Sequence, residues 1–272
     1  MPKLTLIIAL VFACPFWSVA QLSPQDESKL YAETKQLGQF IRRFNAEEDS
    51  KGDRLYEGDK DWRDRNLRRK YLAMLFDKER GWDRKTVESF VDRMTDKQAP
   101  VFLNFHGGDW RAEVQATFRF EGKDLHGRLL MRLKEEQVGS RWIIEDVWLP
   151  AFDTYTQKDT AGAGFLHPLS HELAFMNLHK VLKQGNNPYA YISQEQKIDQ
   201  LSLFAYETQR GRLQFKQVDD IRFHFFLDAG WYFELAYQQR NSHNRGWLIV
   251  NLLPLSSPEL MGELRKQLFS QP

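Results

Sequence analysis

The residue whose type and setting best suit proton transfer is Asp146, within the segment WIIEDVWL. Alternate residues of an extended strand point to the same side, so Asp146 is expected to share a face with Trp142 and Trp148. A carboxylate among apolar rings can have a raised pKa, which suits a general base. The favoured alternative is structural, with Asp146 paired with an arginine of a neighbouring strand or placed on a half-buried face.

The aromatic residues offer a second kind of site. The chain has 8 Trp and 9 Tyr residues, and those that line a concave sheet could hold a sugar ring or an apolar ligand. The predicted ligand-binding residues are Trp142, Trp148, Trp247 and Asn251. Asn251 cannot act as a base, although it occupies in the second half the position that Asp146 has in the first. Core packing is the favoured interpretation of most aromatic side chains, because they alternate with polar residues.

The sequence contains no strong metal or nucleophile motif. His171 and His179 lie on roughly one face of a predicted helix that His167 precedes, but no carboxylate on that face completes a ligand set. No Gly-rich phosphate loop precedes a helix, no GxSxG segment is present, and the single cysteine is Cys14 near the N-terminus. We therefore predict no metal site and no cofactor.

The first residues have the organisation of an export signal. A lysine precedes an apolar run from Leu4 to Trp17, and Ser18-Val19-Ala20 supplies small residues where a signal peptidase cleaves. We predict a signal peptide over 1–20 and a periplasmic or extracellular protein, with no integral membrane segment after cleavage. A lipoprotein acylated at Cys14 is the less favoured alternative, because the residues around this cysteine suit that processing poorly.

The period of the apolar residues predicts the order of elements. Three amphipathic helices come first, at about 27–48, at Leu67 to Phe76 and after a capping Asp83. From Val101 the period changes to two, which predicts an antiparallel meander that ends near Leu149. Residues 153–164 have the composition of a linker, and after them the chain repeats helices and then strands, with a terminal helix at about Pro258 to Phe269.

The two strand-rich runs have related sequences. Phe118 and Phe223 are 105 residues apart, and so are Trp142 and Trp247. We therefore predict an α+β protein of tandem duplicated units, each with helices packed on a curved antiparallel β-meander. The predicted domains are 21–152 and 165–272, joined by the linker at 153–164.

Helices followed by a curled antiparallel meander resemble the cone-shaped fold of the nuclear transport factor and ketosteroid isomerase superfamily. The resemblance rests on element order and on the repeated sheet, and it implies a pocket between the helices and the bent sheet. Members include isomerases, dehydratases and many non-catalytic binding or assembly domains, so the fold does not select an activity. The isomerases use a pocket carboxylate, but their motif does not map onto this chain residue by residue.

The charge balance and the composition restrict the class of function that the chain can have. The chain has 38 Lys and Arg residues against 37 Asp and Glu residues, so no overall positive field attracts nucleic acid. We predict an exported, non-catalytic protein that binds a small molecule or an envelope protein. One alternative is an isomerase or hydratase that uses Asp146. A second is an envelope assembly or scaffold protein whose two units pack on each other through their sheets.

Overall fold

The computed structural model describes residues 36–137, 139–153, 199–242 and 244–269, and shows an α+β protein. In the first half, α1 includes the helical residues 36–45, and the further elements are α2 (Arg65–Met74), α3 (Arg84–Met94), β1 (Trp110–Phe120), β2 (Lys123–Glu136), β3 (Gly139–Trp148) and a 3₁₀ turn (Pro150–Phe152). In the second half they are α4 (Gln200–Gln209), β4 (Leu213–Leu227), β5 (Trp231–Gln238), β6 (Gly246–Pro254) and α5 (Pro258–Phe269).

Aspartate side chains cap the N-termini of α2, α3 and α4, where Asp199 accepts a hydrogen bond of 2.6 Å from the N–H of Ser202. Asp64 accepts a hydrogen bond from the backbone N–H of Leu67, and Asp83 accepts one from Thr86, each at 2.8 Å. These bonds satisfy N–H groups that have no partner within the helix, so the predicted cap at Asp83 is confirmed. None of the helices among the described residues is long and apolar enough to cross a lipid bilayer.

The six strands form one antiparallel sheet in the order β3-β2-β1-β4-β5-β6. Each half therefore supplies three consecutive strands, and β1 pairs with β4 at the centre. The turn between β1 and β2 consists of Glu121 and Gly122, whose φ angles are 50° and 78°. Two positive φ angles are typical of a type I′ turn, which matches the right-handed twist of the strands that it joins.

On the core side of the sheet, helices of each half cover strands of the other half. The ring centroids of Phe44 in α1 and Phe90 in α3 both lie 6.0 Å from that of Phe233 in β5. In return, Phe204 of α4 lies 5.8 Å from Phe118 in β1. Buried residues of both halves consequently belong to one hydrophobic cluster.

Side-chain hydrogen bonds attach α4 to the end of the first meander. Gln200 is fully buried, and its Oε1 accepts a hydrogen bond of 2.6 Å from the backbone N–H of Leu149. Its Nε2 donates to Oδ1 of Asp153 at 2.9 Å. Both ends of this buried amide are thus satisfied across the two halves of the chain.

Several expectations concern residues outside the described ranges. The signal peptide at 1–20, the helix after His167 with its histidines, and almost all of the linker at 153–164 lie there. The boundary between domains 21–152 and 165–272 therefore stays a prediction. Within the described residues, the halves share one sheet and one core.

Residues 101–105 are not in a strand, although their period of two predicted that the meander begins at Val101. The amide side chain of Asn45 pairs with Leu103, because Nδ2 donates to its carbonyl at 2.8 Å and Oδ1 accepts from its N–H at 2.9 Å. The buried Arg68 donates to the carbonyl of Val101. Side chains of the helices therefore take the place of a neighbouring strand.

The link between α2 and α3 closes the β6 edge of the sheet. The carbonyl of Leu75 accepts a hydrogen bond of 2.8 Å from Ile249, and the N–H of Asp77 donates one of 3.0 Å back to it. The Asp77 side chain, 2% exposed, binds both terminal nitrogens of Arg240 at 2.6 and 3.0 Å. Hydrogen bonding to Arg240 holds the pKa of Asp77 below its usual value despite burial.

We predict that neither half of the chain folds alone. In separately expressed residues 21–153 and 154–272, each set of helices lacks the strands that it covers, so circular dichroism should show no cooperative thermal transition. Mixing the halves should restore one transition. A cooperative transition in either half alone would contradict this interpretation of the shared core.

We also predict that Asp77→Asn lowers the free energy of unfolding by about 2 kcal/mol at pH 7, because Arg240 loses its two hydrogen bonds to the buried carboxylate and keeps Glu79 as its ionic partner. The pKa of Asp77 is lowered by folding, so the wild-type advantage is complete above about pH 4. It should disappear as the pH falls through the lowered pKa. Urea titrations at several pH values measure this difference.

The matched control is Asp92→Asn, because Asp92 and its partner Arg69 are 64% and 37% exposed. Such exposed pairs contribute about 0–1 kcal/mol. Equal losses in the two variants would contradict the assigned role of Asp77.

Candidate functional site

A β-bulge in β3 decides where Asp146 points. Leu130 of β2 pairs with Asp146, and the next residue, Met131, pairs with Ile144, so Glu145 is an extra residue in β3. A bulge of one residue moves the following side chains to the other face. Val147 accordingly packs into the main core together with Ile144, and Asp146 lies on the opposite face.

The face shared by Asp146 and Trp142, which the simple alternation predicted, is therefore not formed. Asp146 is half-buried, and its Oδ1 accepts a hydrogen bond of 2.8 Å from the N–H of Val147. It lines a hollow of only about 10 Å³ together with residues that include Arg128 and Trp148. This volume corresponds to about one water molecule and leaves no room for a substrate.

The second meander has a bulge at the matching position. Glu234 of β5 pairs with Asn251, and Leu235 pairs with Ile249, so Val250 is the extra residue. Asn251 consequently lies on the outer face with Glu234, whereas Ile249 belongs to the core. A bulge of one residue thus sets the direction of the following side chains in both edge strands, β3 and β6.

The predicted ligand-binding residues are divided between the two faces. Trp142 packs edge-on against Trp110 at 5.5 Å, and Trp247 packs against Phe223 at 4.8 Å, both on the core side. Trp148 and Asn251 follow the bulges and lie on the other side. No single pocket among the described residues gathers all four.

The outer face carries a buried polar cluster beneath α5. His224 is 2% exposed, and its Nδ1 lies 2.9 Å from the hydroxyl of Tyr232 while its Nε2 lies 3.3 Å from Oε2 of Glu113. Phe269 of α5 packs edge-on against the His224 ring at 5.5 Å. The cluster is therefore closed to solvent by the last described helix.

The environment shifts the pKa values within this cluster. Burial raises the pKa of Tyr232, which remains protonated. Burial acts to raise the pKa of Glu113 as well, but His224, the hydrogen bond from Gln115 and the charge of Arg128 together outweigh it, so the pKa lies below the usual value. Because α5 leaves no cleft here, the arrangement supports the docking of α5 rather than the binding of a ligand.

A cleft of about 500 Å³ lies at the β6 edge of the sheet, between α1, the loop that follows it, the end of α2 and the start of β6. Sites for small molecules commonly measure about 300–1,000 Å³. Its polar and aromatic lining residues are Gln36, Gln39, Phe40, Arg43, Asp49, Ser50, Tyr71, Tyr237, Asn244, Arg245 and Trp247. Of the predicted site residues, only Trp247 is among them.

Two buried polar atoms of this lining have no hydrogen-bond partner. They are Oε1 of Gln36 and the hydroxyl oxygen of Tyr71. Burial raises the pKa of Tyr71, and the charges of Asp49 and Glu48 raise it further, so the phenol stays neutral and keeps its proton. Two residues of the lining thus carry an acceptor and a hydroxyl that have no partner among the described residues.

The charged side chains around the cleft differ in what they already bind. Nε of Arg43 donates to Glu48 at 2.5 Å, and Oδ1 of Asp49 accepts the backbone N–H groups of Lys51 and Asp53 at 2.8 and 2.9 Å. Arg245 is exposed, and no described carboxylate lies within ion-pair distance of it. Arg245 is therefore the cation of this lining that remains available to an anion.

A second cleft of about 470 Å³ lies beside the loop that contains Gly107 and Gly108. Two of its charged side chains are already engaged, since Asp109 pairs with Arg111 and Arg265 and Arg93 donates to a backbone carbonyl at 2.9 Å. None of its lining residues has a buried, unpartnered polar atom. The cleft at β6 is consequently the stronger candidate.

Sequence patterns did not identify the cleft residues. Gln36 lies in α1, Tyr71 in α2 and Arg245 in the loop before β6, and none of them lies in a recognisable motif. A possible signal was the aromatic pair Tyr237 and Trp247, which stand at the end of one strand and the start of the next.

Comparison with other proteins assigns no family to the chain. No protein-family model, no curated protein and no solved structure matches it.

Proposed function

We propose that this chain is an exported, non-catalytic binding protein whose ligand occupies the cleft at β6. The observation that supports this proposal is the pair of buried, unpartnered polar atoms in the lining, Gln36 Oε1 and Tyr71 Oη. A buried polar group without a partner costs about 1–3 kcal/mol. A ligand that hydrogen-bonds to both atoms recovers this cost.

The surroundings of Asp146 favour binding over the isomerase or hydratase alternative. A general base must lie within hydrogen-bond reach of the substrate proton that it removes. Asp146 instead faces a hollow of about 10 Å³ next to the end of α5. The cleft that has room for a small molecule contains Asp49, but two backbone N–H groups already occupy an oxygen of that carboxylate.

The scaffold alternative requires two units that pack through the faces of their sheets. The two meanders are joined edge to edge by β1 and β4, and helices cover the core face of the common sheet. This arrangement leaves no pair of sheet faces to pack on each other. A small molecule is therefore the ligand that we favour over an envelope protein.

We infer that the two halves arose by duplication of one unit of helices and a meander, as in a tandem pair of the cone-shaped superfamily that the element order resembles. The bulge residues Glu145 and Val250 are 105 residues apart, the same separation as Phe118 and Phe223. A repeated irregularity supports common ancestry more strongly than repeated alternation does, because a bulge has no requirement for a particular apolar pattern.

Export remains part of the proposal and rests on the signal at 1–20. A periplasmic or extracellular location suits a protein that collects a small molecule outside the cytoplasm.

We predict that polar fragments bind in the cleft. Titration of the ¹⁵N-labelled protein with a library of small polar fragments should shift amide resonances of residues 36–50, 71–75 and 244–248. Gln39→Trp should reduce these shifts at least about tenfold, because the indole fills the space beside the half-buried Gln39. The control Gln214→Trp places the same ring on an exposed position of β4 and should change nothing.

The assignment of the cleft would be overturned if the fragments shifted amide resonances of other residues. The same holds if the shifts persisted unchanged in Gln39→Trp.

We further predict that Asp146→Asn retains both the fold and the fragment affinities, because asparagine keeps the shape of the side chain and Asp146 lies outside the cleft. Thermal unfolding and the same titrations measure this. A loss of affinity of about 10²-fold or more would instead support the enzyme alternative.

A further inference from the structure

The unused groups of the β6 cleft restrict the chemistry of its ligand, if the proposed binding function holds. Oε1 of Gln36 is an acceptor only, so it requires a donor such as a hydroxyl. The neutral hydroxyl of Tyr71 can both donate and accept. A ligand that carries several hydroxyl groups satisfies both, because each hydroxyl is at once donor and acceptor.

The aromatic wall of the cleft offers the face of a ring. Tyr237 is 39% exposed, and its ring contacts that of Trp247 at 5.5 Å in an edge-to-face arrangement. Trp247 is 4% exposed, so it supports the Tyr237 ring from the core side. A rigid aromatic surface beside polar groups suits a ligand with one apolar face and a polar rim, as a pyranose ring has.

One cation of the cleft lining is available to an anion. Arg43 is paired with Glu48, which is 1% exposed, and Asp49 keeps its negative charge while its Oδ1 accepts backbone N–H groups of its own loop. Arg245 keeps all of its donors free of described carboxylates. A guanidinium binds a carboxylate through two parallel hydrogen bonds, which fixes the orientation of the bound group.

We propose that the ligand is a sugar acid, a pyranose ring that bears a carboxylate. The ring lies on Tyr237, its hydroxyls bind Gln36 and Tyr71, and its carboxylate binds Arg245. A neutral sugar satisfies the same groups except Arg245. A fatty acid offers the carboxylate but supplies no donor to Gln36.

The experiment compares sugars that differ only in the carboxylate. Isothermal titration at low salt uses the methyl glycosides of glucuronic and galacturonic acid against those of glucose and galactose, with the mature full chain. At least one acid is expected to bind about tenfold or more tightly than its neutral counterpart, because a hydrogen bond to a charged group is the stronger kind.

Three variants assign the contacts. Arg245→Gln should reduce the affinity for the acid to that for the neutral sugar, whereas Arg84→Gln, which alters an arginine that is 90% exposed on α3, should leave it unchanged. Tyr237→Ala should weaken both sugars by the same factor. Unfolding curves of each variant establish that the fold is retained.

The failures of the two proposals are distinguishable. Equal binding of acid and neutral sugar, or an Arg245→Gln variant that still prefers the acid, overturns the sugar acid and leaves the binding cleft intact. Binding of polar fragments in the cleft without binding of any of the four glycosides overturns the sugar as ligand class. Absence of both fragment and glycoside binding overturns the binding function together with the sugar acid.

Discussion

The antiparallel pairing of β1 with β4 joins the two halves of the chain at the centre of the sheet, and the remaining structure depends on it. Because this pairing places the meanders side by side, the helices of one half reach the strands of the other. Phe233 shows the result, since its fully buried ring lies between Phe44, Phe90 and Phe225, which come from both halves. The core is therefore shared, and the stability of either half depends on the other.

The two bulges decide what each face of the sheet can do. Before the bulges, the tryptophans of β3 and β6 enter the core; after them, Asp146 and Asn251 turn to the outer face. The outer face of the sheet is in turn occupied near its centre by α5 and by the buried contacts of Glu113, His224 and Tyr232. A carboxylate that looked suited to catalysis thus lies beside a docked helix.

At the β6 edge, the sheet meets the link between α2 and α3. The link between α2 and α3 pairs with Ile249 and satisfies the backbone N–H and C=O that this edge residue would otherwise expose. The same link holds the end of α2 beside the start of β6, and the space left between them and α1 is the cleft. Closing the edge and forming the binding site are consequences of the same contacts.

Local patterns in the sequence predicted much of the fold. The α+β class, the cap at Asp83 and the bounds of α5 follow from propensities and periodicity, because each depends on residues close in the chain. Residues 101–105 show the limit, since Asn45 and Arg68 replaced the strand partner that their period requires.

Only the tertiary structure decided how the halves are arranged, on which face of the sheet Asp146 lies and which residues line the cleft. Segments such as WIIEDVWL have apolar residues on both sides, so a bulge that exchanges the faces leaves no mark on the sequence. Gln36, Tyr71 and Arg245 meet because α1, α2 and β6 pack against one another. Side chains that converge from distant elements share no spacing along the chain, and spacing is all that the sequence alone can display.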